Sequence, residues 1–483
     1  MVKFTYAQSW FGNMKADILS GLVVALALIP EAIAFAIIAG VDPMVGLYAS
    51  FTISVVIAFV GGRPAMISGA TGAMALLFID LVAEHGLQYL LAATILTGII
   101  QVIFGILKLA RYMKFIPRSV MVGFVNALAI MIFIPQLEHF VGESWVMYLL
   151  VAVTLLIIYL FPYISKTIPS TLVALVVVTS IAIFMNLDMR SVGDIGSISQ
   201  TLPIFLVPEI PVNIETILII LPYSLALSVV GLLESLLTAS IVDDSTGTES
   251  NKNVESRGQG IANIVTGFFG GMAGCAMIGQ SIINIKSNGR GRLSSFAAGV
   301  FLMLLIVILG DIVIRIPMAA LAGVMIMVAI STFDWNSIRT IHLVPRSDAI
   351  VMVVTVLTVV LTHNLAIGVF AGIILSSIFF VSKISQVRVE SSRSGDKKVY
   401  KIRGELFFAS VTELIPQFDY EEKGVDQVEL NLKRTHIWDD SAVAAMKKII
   451  DRFEQNGKDV EVTGLNEAST ELVGKLANKL ESH

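Results

Sequence analysis

Cysteine occurs once in the 483 residues, at position 275, so no disulfide can form within the chain. Charge is scarce: 14% of the residues are charged, against about 25% in a typical soluble domain. No glycine-rich stretch is followed by G-K-[ST], so ATP-driven transport in cis has no support. Zinc-ligand and nucleic-acid-binding patterns are missing, as is any nucleophile–base pair, which argues against an enzyme and implies neither metal nor cofactor. The amphipathic lead M-V-K-F-T-Y-A-Q-S-W-F-G-N-M-K has no small-residue cleavage site, so no removed signal is expected.

Apolar sequence is abundant instead. Hydrophobic residues make up 55% of the chain, and the mean hydropathy is +0.83. Apolar runs continue to about residue 383, which predicts a polytopic α-helical membrane protein rather than one held by a lone anchor. The clear spans read near 17–39, 43–60, 87–107, 118–135, 145–161, 171–186, 214–240, 294–310, 318–332, 347–362 and 365–383. Weaker ones lie at 66–83, 257–270 and 273–286, giving about fourteen. Short loops carrying Lys108, Arg111, Lys114 and Arg118, then Lys286, Arg290 and Arg292, then Arg339 and Arg346, all fall on one side. The positive-inside rule makes that side cytoplasmic, together with the N-terminus. The loop with Glu138, His139 and Glu143 falls outside, as does the long loop around 187–213.

From residue 384 about a third of the residues are charged, and no span remains. K-K-V-Y-K-I-R-G, Q-V-E-L-N-L-K and D-V-E-V-T-G-L read as strands, and A-V-A-A-M-K-K-I-I-D-R-F as an amphipathic helix. The expected organisation is a transmembrane domain over 1–383 and a small cytoplasmic α/β domain over 384–483.

Two acids interrupt the apolar runs. Glu31 lies in L-A-L-I-P-E-A-I-A-F, just after Pro30, and Glu234 in V-V-G-L-L-E-S-L-L-T. A charged side chain at membrane depth costs several kcal/mol unless it is neutralised, paired or facing water, so intramembrane acids are candidates for ion or proton coupling. Two of the weak spans are rich in small residues: M-I-S-G-A-T-G-A-M at 66–74 and G-G-M-A-G-C-A-M-I-G-Q at 270–280. Small residues also permit close helix packing. At matched positions beside two buried acids, however, they predict broken helices with small polar turns, whose N-termini face an anion near the midplane. Glu31 and Glu234 fall in the first and eighth spans, the two small-residue segments in the third and tenth. The common offset of seven predicts a 7+7 inverted repeat.

These residues resemble a known family. L-I-P-E-A-I-A-F-A-I-I-A-G-V-D-P-M-V-G-L-Y-A-S-F is similar to the first-span signature of SulP anion transporters, the sulfate permeases and their relatives. G-R-P-A-M-I-S-G-A-T-G-A-M resembles their third span, and R-G-Q-G-I-A-N-I-V-T-G-F-F-G-G-M the approach to the tenth. L-K-R-T-H-I-W-D-D-S-A-V-A-A-M resembles a STAS domain. The resemblance implies a fourteen-span carrier of the cell membrane with core and gate domains, and a homodimer. It places substrate contacts at Ser68, Gly69, Ala70, Thr71, Ala276, Met277, Ile278 and Gln280, and ion or proton coupling at Glu31, Glu234 and Thr238. Many relatives carry arginine where this chain has Gln280, so the site lacks that fixed cation. Asp440, in Asp439-Asp440-Ser441-Ala442, stands where a phosphorylatable serine is usual in the D-S-S-G stretch of STAS domains of the anti-sigma-antagonist type.

The expected activity is secondary transport of an inorganic oxyanion, sulfate by family default, in symport with a proton (or sodium). The other partners are membrane lipids, and no nucleic acid. The alternatives are a proton-coupled dicarboxylate or bicarbonate carrier, an anion channel, or an anion sensor. Cys275 reads as a small packing residue. Asp17 reads as an acid at a helix start, and Asn126 and Gln136 as partners of backbone or neighbouring helices.

Overall fold

The structure is a computed structural model and describes residues 6–165 and 168–480. Residues 1–5 of the lead and the Lys114 side chain lie outside the described set. The chain divides into two compact units, Met1–Ile373 and Ile374–His483.

A short surface helix α1 (Tyr6–Phe11) leads into α2 (Met14–Ile38), α3 (Pro43–Val60), a strand β1 (Ser68–Ala70) running into α4 (Gly72–His85), α5 (Leu87–Ile106), α6 (Arg118–Glu138), α7 (Trp145–Leu160) and α8 (Ser170–Phe184). The same order then recurs as α9 (Ile214–Thr246), α10 (Lys252–Phe268), β2 (Gly274–Ala276) with α11 (Ile278–Lys286), α12 (Arg292–Val313), α13 (Met318–Thr332), a short α14 (Trp335–Thr340), α15 (Arg346–Thr362) and α16 (Leu365–Ile384). The division between the units falls inside α16. Setting α1 and α14 aside, each half supplies seven membrane elements, and the third of each is a strand followed by a half-helix. Among the described residues, nine helices are long and apolar enough to cross a membrane on their own. The remainder include the two half-helices and α10, whose polar residues are turned inward.

Local chemistry sets the boundaries. Asp42 caps α3 by accepting from the Met44 N–H at 2.8 Å, with Pro43 at the first helical position. Asn213 and Asn251 cap α9 and α10 in the same way, and Gly247 ends α9 at a φ of +64°. Pro30 sits inside α2, where its missing N–H leaves the Leu26 carbonyl without its usual helical donor.

The helices sort into two groups. In one, α5 packs on α9 and α10, and α12 on α2 and α3. In the other, α6 packs on α13 and α15, and α7 on α8 and α13. Glycines permit the closest crossing. A Cβ at Gly98 would stand 2.4 Å from the Gly260 oxygen, and one at Gly260 would stand 2.5 Å from the Gly98 oxygen. That mutual contact explains the second glycine of R-G-Q-G: it brings the backbones of α5 and α10 together.

The small-residue segments are not the turns expected from the sequence. Both are extended, and they pair antiparallel: Ser68 with Ala276, Gly69 with Cys275, Ala70 with Gly274. Their side chains are too small to pack a helix face, so the backbone finds its partners across the repeat boundary instead. Side chains complete the pairing: Ser54 Oγ donates to the Ser68 oxygen at 2.6 Å, and the Ala70 N–H donates to Ser50 Oγ at 3.1 Å. On the other strand the Gly274 N–H donates to Asn263 Oδ1 at 2.9 Å, and Asn263 Nδ2 donates to the Gly274 oxygen at 3.1 Å.

The second unit holds a four-stranded sheet, β3 (Arg388–Ser394), β4 (Lys397–Leu406), β5 (Gln427–Ile437) and β6 (Asp459–Thr463), in that spatial order. The expected strands are β4, β5 and β6, joined in parallel; β3 adds an antiparallel hairpin that its exposed, polar sequence did not signal. With α17 (Val411–Leu414), α18 (Asp440–Gln455) and α19 (Glu467–Leu480), the sheet encloses a core around Tyr400, Leu430, Ile449 and Phe453. Asp439 caps α18, accepting from the Ala442 N–H at 2.9 Å, and also accepts from the Phe408 N–H at 2.8 Å. Asp440, the aspartate at the serine position of the D-S-S-G pattern, is the first residue of α18, directly after that cap.

A Cβ at Gly274 would lie 2.0 Å from the Gly69 oxygen, a backbone atom that cannot yield without breaking the strand pair. Gly274→Ala is expected to cost about 1–3 kcal/mol or more, read as a lowered melting midpoint and loss of monodisperse protein in detergent; a melt like the parent's would show the pair to be dispensable. In the tail, a hydrogen bond from Lys398, supported by Arg393, holds Glu422 below the usual carboxylate range, and Lys397 with Thr463 does the same for Glu429. A lowered folded pKa gives stability that is present above the ordinary carboxylate value and is lost as pH falls through the folded one. Circular-dichroism melts of the tail unit should therefore weaken on acidification, and Glu422→Gln with Glu429→Gln should flatten that dependence.

Candidate functional site

Helices α4 and α11 begin where the two strands end. Their cap residues, Thr71 and Met277, are extended, and neither side chain accepts a bond from its own first turn. Two sets of first-turn N–H groups thus lack a side-chain cap, each at the positive end of a helix dipole.

A cavity of about 200 Å³ lies in front of them. Thr71, Gly72, Met277, Ile278, Gly279 and Gln280 line it from the half-helices, Glu31 and Phe35 from α2, and Glu234 and Leu237 from α9. The opposite wall belongs to the other helix group: Phe124, Val125, Leu128 and Ile132 of α6, and Met327, Val328, Ser331 and Thr332 of α13. The cavity therefore sits at the seam between the two groups. No lysine, arginine or histidine is among its lining residues.

Each acid is held by a residue of the tenth element. Gln280 Nε2 donates to Glu31 Oε1 at 2.7 Å, while Gln280 Oε1 is buried with no partner among the described residues. Cys275 Sγ donates to Glu234 Oε2 at 2.9 Å and lies 3.1 Å from Thr71 Oγ1. A continuous polar chain thus joins the cap of α4 to the buried acid on α9. The adjacent Ser235 hydroxyl accepts from the Ala276 N–H at 3.1 Å, fixing β2 to the same helix.

Of the eleven sequence-named residues, six line the cavity and five do not. Thr71, Met277, Ile278, Gln280, Glu31 and Glu234 meet at the cavity. Gly69, Ala70 and Ala276 form the strand pair and are not among its lining residues. Ser68 receives a bond from Gln259 Nε2 at 2.7 Å, and the Thr238 hydroxyl donates to the Glu234 backbone oxygen at 2.7 Å within its own helix. Sequence reasoning missed the α6 and α13 wall, and it took Cys275 for packing. A polar atom in the middle of a small-residue strand, five positions before Gln280, was the available signal. It also passed over Glu255, fully buried on α10, which accepts from the Gly62 and Arg63 N–H groups at 2.7 and 3.0 Å and from Gln259 at 2.9 Å. Through Gln259 this acid steadies Ser68 and the base of β1.

Other polar residues have structural partners. Asp17 Oδ1 accepts from the N–H groups of Arg290 and Gly291 at 2.7 and 3.1 Å, tying α2 to the loop before α12. Asn126 donates to Ser337 and accepts from the Asp334 N–H, and Gln136 donates to the Ile132 oxygen of its own helix.

Comparison with known proteins follows this geometry. The sequence profile of the sulfate permease family matches residues 14–147 and 143–355, and that of the STAS domain matches residues 388–479. YbaR of Bacillus subtilis (strain 168), provisionally named a sulfate transporter, is 59% identical over 475 residues, which cover 98% of this chain and 99% of that one. The transmembrane domain of a cyanobacterial bicarbonate transporter, BicA, superposes with a TM-score of 0.68 at 29% identity, covering 75% of this chain and 98% of that domain. The murine Slc26a9 anion transporter in its inward-facing state superposes with a TM-score of 0.83 at 16% identity, over 98% of this chain and 88% of the other, a likeness of fold. With the larger part of its length under the first profile and its tail under the second, the chain belongs to the sulfate permease family and carries a C-terminal STAS domain.

Proposed function

We propose that the protein is a secondary active anion carrier whose substrate binds in the cavity before α4 and α11, with a proton on Glu31 or Glu234 permitting binding. The supporting observation is the pairing of two uncapped half-helix N-termini with two intramembrane acids, Glu234 buried and Glu31 partly buried, and no basic residue in one cavity.

Magnitudes decide the order of events. An ionised carboxylate about 5 Å from a monoanion opposes it by about 3 kcal/mol at an effective dielectric of ~20. Two such acids oppose it by about twice that, whereas each helix N-terminus contributes at most about 2 kcal/mol. With both acids ionised, the anion is repelled. A proton on one brings the terms close to balance, and protons on both reverse the sign. Anion binding thus needs proton uptake, the thermodynamic basis of symport. The helix groups on either side of the cavity then shift relative to each other and open the site to the other face. The loop cations support a cytoplasmic N-terminus and tail.

Sulfate is the first candidate, from the family and from YbaR. Bicarbonate is the second reading. The cavity has no fixed cation for a dianion, and the BicA membrane domain, whose protein is named for bicarbonate, has the same fold.

The test is uptake into proteoliposomes under an inward proton gradient, with labelled sulfate, bicarbonate and fumarate in parallel. Saturable uptake of one anion, lost when the gradient collapses, is expected; flux indifferent to the gradient would make the protein a channel, and binding without flux a sensor. Glu31→Gln and Glu234→Gln are each expected to lower gradient-driven uptake about tenfold or more at equal expression. Uptake intact in both variants would overturn coupling through these acids. Cys275→Ser keeps a donor for Glu234 and should retain most uptake, whereas Cys275→Val removes it and should shift the pH profile of uptake. Identical profiles for the two would return Cys275 to a packing role.

A further inference from the structure

A second concavity lies away from the transport cavity and plays no part in the mechanism above. It is a groove of about 320 Å³ formed by Phe104 of α5, Tyr112 and Met113 of the 3₁₀ turn Leu109–Phe115, Val229 and Leu236 of α9, and Ile373 of α16. Two hydroxyls occur in its lining, and both already have partners: Tyr112 takes a bond from Arg111 Nη2 at 3.0 Å, and Ser256 donates to the Lys252 oxygen at 2.9 Å. Apart from Ser256 and the Tyr112 O–H, which accepts from Arg111 and keeps its own proton to donate, the groove's lining side chains are apolar.

Its rim is different. Lys108, Arg111 and Arg257 are exposed, and each adjoins a lining residue in the chain: Leu109, Tyr112 and Ser256 respectively. The Arg111 guanidinium stands 4.9 Å from the centre of the Tyr112 ring, so a lining residue carries a cation on its outer face. The Arg257 stem crosses Gly105, next to Phe104, where a Cβ would be 2.4 Å from its Cγ. None of the three enters an ion pair among the described residues. Nearby acids are occupied: Asp243 by Arg63 at 3.1 Å and Lys252 at 2.8 Å, and Glu255 by the Gly62 and Arg63 backbone. Exposed Ile106, Leu107 and Phe115 flank the cations, giving the mixed apolar and basic edge of a membrane interface.

Length fits as well. From Leu236 to Val229 the α9 wall rises about 10 Å, against about 15 Å for one leaflet of hydrocarbon. We propose that this groove is a binding site for one anionic phospholipid, with an acyl chain along Phe104, Met113, Val229 and Leu236 and the phosphate on Lys108, Arg111 and Arg257. Charge complementarity selects the lipid: three cations outside any ion pair among the described residues, next to the lining of an apolar slot, match an anionic headgroup on a hydrocarbon chain, and each cation is worth about fivefold in affinity near such a surface. The site also lies on the seam used for transport. Met113, Ile116 and Leu233 line both the groove and a small void of about 10 Å³, and Phe124 and Leu237 line both that void and the transport cavity. A bound chain would pack against the surfaces that shift during transport, whichever anion is carried.

The experiment is native mass spectrometry of the full-length protein in mild detergent, equilibrated with equal amounts of phosphatidylglycerol and phosphatidylethanolamine of identical acyl chains. The parent should retain one phosphatidylglycerol in preference. The combined Lys108→Gln, Arg111→Gln and Arg257→Gln variant should lose that preference by tenfold or more, and Val229→Trp should lose the retained lipid by filling the slot. A second measurement avoids the charge variants: in Phe104→Trp, brominated-chain phosphatidylglycerol should quench the added fluorescence more than brominated phosphatidylethanolamine. Equal retention of both lipids by the parent, a preference surviving in the neutralised variant, lipid retained in Val229→Trp, or equal quenching would each overturn the proposal.

Discussion

Extended backbone at membrane depth is permitted only where its polar groups find partners inside the protein. The pairing of Ser68–Ala70 with Gly274–Ala276 meets that condition, and much of the membrane unit is organised around it. It places the ends of two half-helices beside each other and joins the two repeats at their centre. It also explains the composition of both segments. Gly274 must be glycine because the Gly69 oxygen occupies the space of a side chain. Ser50, Ser54 and Asn263, from the second and ninth elements, face the strands because short polar side chains are what a bare strand edge requires. The two repeats thus solve one backbone problem with different residues.

Electrostatics builds on that frame. The half-helices supply a modest positive potential, and the two acids supply a larger negative one. On the proposed mechanism, that imbalance is what couples anion binding to proton uptake. A fixed arginine would offset the repulsion permanently; glutamine at position 280 is neutral and instead donates to the Glu31 carboxylate.

Much of this was legible in the sequence, for identifiable reasons. Glu31 and Glu234 stood out because charge inside an apolar run is costly, and the matching offsets of the acids and small-residue segments exposed the repeat. The two halves of the site fall about 200 residues apart, and no local periodicity announces that residues 68–70 and 274–276 pair, so the strands read as turns. The direction of Ser68 toward Gln259, and the role of Cys275 between Thr71 and Glu234, depend on that pairing and were hidden with it. In the tail, alternating hydrophobicity marked β4 to β6, whereas β3 is nearly all exposed and polar, with Val389 its one apolar side chain against the core, and its backbone pairing with β4 carries no sequence signal.

The donors to the two acids, Cys275 and Gln280, lie five residues apart on a single short piece of chain, β2 and the start of α11. The carboxylates themselves sit on separate long helices belonging to opposite repeats. Any displacement that draws this piece away from α2 and α9 strips both acids of their partners in one stroke, and any return restores both. The hydrogen-bond partners of Glu31 and Glu234 are thereby tied to one mechanical coordinate, so two groups more than 200 residues apart in the chain answer to the position of one short piece, β2 and the start of α11.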